Sequence, residues 1–97
     1  MATFIALIDY TEQGLRSIQK SPQRATAFAE QAKQTGVTVK DLYWTYGGHD
    51  GVLILEAPDD RAASALLLEL ARAGNVRAQT LRAYDRSEME EILARIS

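Results

Sequence analysis

The chain has 97 residues, 46% of them hydrophobic, with 11 basic and 13 acidic side chains, one histidine and no cysteine. That length suits a single domain, and the missing thiols exclude a disulfide framework, a thiolate metal site and a cysteine nucleophile. A formal charge of −2 gives no electrostatic reason to expect nucleic acid or an anionic membrane as a partner.

Thr3 to Asp9 is a continuous β-rich apolar run, which predicts a strand covered on both faces. It lacks a basic leader and is too short for a signal core or a membrane span, so a soluble, cytoplasmic chain is expected. Tyr10-Thr11-Glu12-Gln13-Gly14 opens a helix with Thr11 as N-cap, and Leu15 and Ile18 are expected to face inward. Ser21-Pro22 interrupts it, with Ser21 as the expected cap of a second segment. That segment carries Ala25, Phe28, Ala29 and Ala32 as one apolar stripe and stops at Gly36. The reading is one bent helix or two consecutive ones between residues 12 and 35.

Val37 to Tyr46 predicts a second strand, with Val37, Val39, Asp41 and Tyr43 on one face and Thr38, Lys40, Leu42 and Trp44 on the other. Gly47-Gly48-His49-Asp50-Gly51 is turn chemistry leading into Val52-Leu53-Ile54-Leu55, so these strands form a hairpin. Pro58-Asp59-Asp60 starts a second long helix, whose apolar face is Ala62, Ala63, Leu66, Leu67 and Leu70 and whose stop is Gly74-Asn75. Val76 to Tyr84 is a fourth strand. Ser87-Glu88-Met89-Glu90 matches a capping box before a last apolar stripe of Met89, Ile92, Leu93 and Ile96.

The order β-α-β-β-α-β-α is a ferredoxin-like α+β pattern, a βαββαβ antiparallel sheet with two helices on one face and a short C-terminal helix. In this topology the first and third strands are central, and here those two are nearly pure apolar runs, while the others hold Lys40, Asp41, Arg77, Gln79 and Arg82. Right-handed crossovers place both long helices on one face. Either Phe4/Ala6/Ile8 or Ile5/Leu7 must then point to the opposite face, which has to be covered. A second copy is the economical cover, so a homo-oligomer is expected.

Candidate chemistry is sparse. His49 beside Asp50 is a candidate acid–base pair, or an exposed turn in which Asp50 bonds to the local backbone. Tyr43 and Trp44 point to opposite sides, one under the helices and one where a small organic ligand or a partner could meet it. Arg82 and Tyr84 share a face of the last strand and, with Asp9, are a candidate polar cluster at a cavity mouth or an ordinary edge ion pair. A lone histidine without cysteine argues against a transition-metal site, carboxylates shared across a dimer aside, and the residues leave the cofactor unknown.

The stretches Tyr43-Trp44-Thr45-Tyr46-Gly47-Gly48-His49-Asp50-Gly51-Val52 and Glu56-Ala57-Pro58-Asp59-Asp60 resemble the GYD domain family. So do Tyr10-Thr11-Glu12-Gln13-Gly14-Leu15, Ser21-Pro22-Gln23-Arg24-Ala25 and Gly74 to Ala83, and the resemblance covers nearly the whole chain. It implies a small, soluble bacterial protein of unassigned function whose sheets pair as a dimeric α/β barrel. It also implies that tyrosine is usual where His49 stands, while Asp50 is retained. Three functions follow as expectations: binding of a small organic molecule between the sheet and a partner subunit, cofactor-free small-molecule catalysis, or a structural or protein-interaction role without ligand.

Overall fold

The computed structural model describes residues 1–96. Its elements are β1 (Ala2–Tyr10), α1 (Glu12–Arg16), a 3₁₀ turn (Ile18–Lys20), α2 (Ser21–Gln34), β2 (Thr38–Trp44), β3 (Gly51–Ala57), α3 (Asp60–Arg72), β4 (Val76–Ala83) and α4 (Arg86–Leu93). The four strands form one antiparallel sheet in the order β2-β3-β1-β4. The two greasy strands are the central ones, because only they have a neighbour on each side to bury both edges.

Register decides which side chains share a face. Phe4 lies opposite Leu55 and Arg82, and Ala6 opposite Leu53 and Thr80. Phe4, Ala6, Leu53 and Leu55 are buried in one cluster with Phe28 and Ala32 of α2 and Ala63, Leu66 and Leu67 of α3. The even-numbered residues of β1 therefore face the helices. Ile5 and Leu7, with their partners Ile54, Val52, Leu81 and Gln79, face the other way. Both long helices lie on the side expected from crossover handedness, and the molecule is 19 Å across its thinnest axis.

Several local expectations are corrected. Alternation along β2 breaks between Val39 and Asp41, where a bulge sets the register back. Val39, opposite Leu55, thus shares the helix-covered face with Leu42 and Trp44 rather than with Tyr43. Thr11 caps α1 as expected, its Oγ1 accepting from Gly14 N, but Leu15 and Ile18 are exposed, since α1 is too short to roll a stripe onto the sheet. Lys20, not Ser21, occupies the N-cap of α2. Asp85 rather than Ser87 caps α4, in a capping box with Glu88. The helix stop at Gly36 is confirmed by its φ of 82°.

Candidate functional site

At one end of the sheet, the last residues of β1 and β2 and the first of β3 meet the start of α2. A cleft of about 260 Å³ opens there between sheet and helices. Its floor is apolar, with Ile8, Phe28, Leu42, Leu53 and Leu70 among its walls. Trp44 reaches it because the β2 bulge turns its side chain to the helix face.

Polar groups gather at the mouth. Tyr10 Oη and Ser21 Oγ are 2.6 Å apart, and Trp44 Nε1 donates to both, at 3.2 and 3.0 Å. Ser21 can join because it stands inside the first turn of α2 instead of capping it. Beside them Arg24 Nη1 donates to Ser17 O at 3.0 Å and Ser17 Oγ at 3.1 Å. Arg24 Nη2 is buried without a hydrogen-bond partner.

The glycine-rich turn is anchored to β1. Asp50 N donates to Ile8 O at 2.8 Å, and Asp50 Oδ2 accepts from Tyr10 N at 2.9 Å. The local turn bond expected of Asp50 is thus replaced by a clamp on a strand far away in sequence, which fixes the hairpin end beside the cleft. His49 does not pair with Asp50. Its Nδ1 lies 3.1 Å from Asp9 Oδ2, on the open side of β1. A neutral ring held this way carries its proton on Nδ1 and leaves Nε2 as an acceptor, an arrangement open to general-base chemistry. Both partners are well exposed, with side chains 38% and 45% accessible, so the contact contributes little to stability.

Within one protomer the six residues expected at a site, His49, Asp50, Tyr43, Trp44, Arg82 and Tyr84, fall in separate places. Asp50, Tyr43 and Trp44 line the cleft, although the Tyr43 side chain belongs to the open sheet face by its pairing with Val52. Arg82 and Tyr84 sit at the other end of β1, since Arg82 pairs with Phe4. There the Arg82 guanidinium stacks 5.5 Å from the Phe4 ring centroid and 4.6 Å from that of Tyr84, and Nη2 meets Glu88 Oε2 at 3.3 Å. The cluster imagined for Asp9, Arg82 and Tyr84 does not form, because antiparallel register separates residues 4 and 9 by roughly 17 Å of strand. An ordinary ion pair with α4 takes its place. Tyr10, Ser21 and Arg24 were missed as site residues: each looks like a helix-start residue, and only tertiary packing brings them together. Among the described residues no group of three or more histidine, aspartate or glutamate side chains could hold a metal ion, and no helix is long and apolar enough to cross a membrane.

The GYD domain family model matches residues 4–93. The chain belongs to the GYD domain family. The matched stretch includes the glycine-rich turn, where Asp50 clamps β1. This GYD domain is 31% identical over 97 residues to a protein of Thermus thermophilus named glutamine synthetase and cystathionine beta-lyase binding protein, with 99% of each chain covered. It also superposes on the crystal structure of TTHA0845 from Thermus thermophilus with a TM-score of 0.54 at 24% identity. That superposition covers 89% of this chain and 100% of the other, and it shows a shared fold.

Proposed function

We propose that this GYD domain is a protein-interaction module that self-associates through its open sheet face and docks on a soluble metabolic enzyme. The observation that carries the reading is the uncovered sheet face, where Ile5, Leu7, Val52, Ile54 and Leu81 form an apolar surface across three strands, extended by Tyr43. Leu81 and Tyr43 are exposed, and α4 does not cover the face with its own stripe, since Met89 and Leu93 are themselves exposed. Contiguous apolar surface of this kind marks association sites in soluble proteins. The full-length relative named for binding two enzymes supports an enzyme as the further partner, and partners of that class favour a soluble chain at work in the cytoplasm.

The test uses purified glutamine synthetase and cystathionine beta-lyase from the same source organism, each passed over the immobilised chain in an interferometry experiment. Saturable association with at least one enzyme is expected. Absence of binding to both at tens of micromolar enzyme, about −6 kcal/mol of affinity, with the immobilised chain shown to be folded, removes the enzyme-docking half of the reading.

A further inference from the structure

We propose that the cleft between α2 and the sheet is a binding site for a small organic acid, an apolar body carrying one carboxylate. The site lies within one protomer on the helix-covered side, so it goes beyond the interaction role and stands or falls separately from it. Ligand pockets combine an apolar wall with a few convergent polar groups, and this cleft has that composition. What identifies the ligand's head group is the imbalance of donors over acceptors at the mouth.

Tyr10 and Ser21 carry one hydroxyl hydrogen each. Their mutual bond at 2.6 Å uses one of them. Trp44 Nε1 adds a further donor directed at the same two oxygens, leaving one hydroxyl hydrogen without an acceptor in the cluster. Arg24 supplies the second unmet donor, Nη2, together with a full positive charge. A buried donor without a partner is costly, more so when charged. The two acidic side chains in the wall make no hydrogen bond to these donors. Glu69 is paired with Arg72 at 2.9 Å, and Asp50 Oδ2 is occupied by the Tyr10 amide.

A carboxylate supplies two acceptor oxygens in a geometry that suits a guanidinium edge and a neighbouring hydroxyl. Arg24 forms part of the wall and its Nη2 is buried without a partner, so an incoming carboxylate oxygen meets it by a rotation of the guanidinium about the end of its side chain. The apolar remainder of the ligand then lies on Ile8, Phe28 and Leu53 against the Trp44 ring. A free cation or a sugar fits this wall poorly, because the first meets Arg24 and the second leaves most of its hydroxyls facing hydrocarbon.

Trp44 is the only tryptophan of the chain and lines the cleft, so its fluorescence reports occupancy directly. Phenylacetate and hexanoate serve as probes, with phenylacetamide and hexanamide as uncharged counterparts of nearly equal shape. Saturable quenching or enhancement is expected with the acids, at affinities about tenfold or more above those of the amides. Arg24→Met should erase that preference by weakening the acids far more than the amides. Ala25→Leu, which fills the cleft from α2, should weaken both classes. No saturable signal from either acid up to about 10 mM, equal affinity for acid and amide, or an acid preference untouched in Arg24→Met would each overturn the proposal. Arg24→Met also loses the Ser17 contacts, so its fold is checked by circular dichroism. If it fails to fold, the acid-to-amide comparison in the natural chain and the Ala25→Leu variant decide the matter alone.

Discussion

A Cβ built on Gly14 would lie 2.0 Å from the carbonyl oxygen of Asn75. The approach is that close because Thr11 ties the start of α1 to the turn before β4. Its amide donates to Asn75 O at 3.1 Å and its hydroxyl to Gly74 O at 2.6 Å. Backbone cannot swing aside as a side-chain tip can, so Gly14→Ala must pry the two segments apart. We expect it to lower unfolding free energy by about 2–3 kcal/mol, read from urea denaturation, whereas Gly48→Ala, whose Cβ would meet nothing within 4 Å, should change it little. Equal denaturation midpoints for the two variants would refute this account of α1 docking. Gly14 illustrates what one chain of letters hides at this scale: it reads as a residue in a helix opening, and the carbonyl that forbids a side chain lies at residue 75. Asp50 is similar. Its type suggested a local turn bond, and its partner proved to be the Tyr10 amide. Thr11, by contrast, was legible as a cap because its acceptor role is filled three residues along.

Helices and strands were legible where period and punctuation agreed, as in α3, where Asp59 caps the helix by accepting from Ala62 N at 2.9 Å. They were less so where two registers of one motif overlap. Both Asp85-x-x-Glu88 and Ser87-x-x-Glu90 fit a capping box. The first prevails because β4 ends at Ala83, which frees the chain to start turning at Asp85, and a carboxylate there also meets the positive end of the helix dipole. Asp85 accepts from Glu88 N at 2.8 Å while Glu88 Oε1 accepts from Asp85 N at 3.1 Å. Asp85→Ala should therefore destabilise α4 by about 1 kcal/mol, and Ser87→Ala should not. Since α4 buries no residue fully, the loss should appear as faster amide exchange in residues 88–93 and not in the global melting temperature. Equal exchange in both variants would mean that the box contributes nothing to the helix. The β2 bulge is the other element-scale surprise, because strict alternation carries no mark of an inserted residue, and that single slip is what brings Trp44 to the cleft.

For the whole molecule, strand order was readable from composition, since greasy runs belong in the middle of a sheet. Which half of β1 faces outward was not, because Phe4, Ala6 and Ile8 are as apolar as Ile5 and Leu7, and only the register with β3 and the helices settles the parity. The outcome leaves Ile54 at the centre of the open face, between Ile5 on β1 and Asp41 on β2. A lysine there can extend its amine to solvent from a half-buried strand position but places a charge in the middle of the surface that a second copy would bury. A lysine buried there, even with Asp41 as its cross-strand neighbour, costs several kcal/mol per copy and is counted twice across a two-fold interface. Ile54→Lys should accordingly shift the chain from oligomer to monomer, seen as a halved or smaller mass in light scattering during size-exclusion chromatography. Leu68→Lys is the matched control: Leu68 is 69% exposed on α3, away from the sheet face, and its variant should keep the natural mass. If the natural chain already runs as a monomer at about 100 μM, well above the micromolar dissociation expected of a standard interface, self-association through this face is ruled out, and the apolar surface must be covered by the enzyme partner alone.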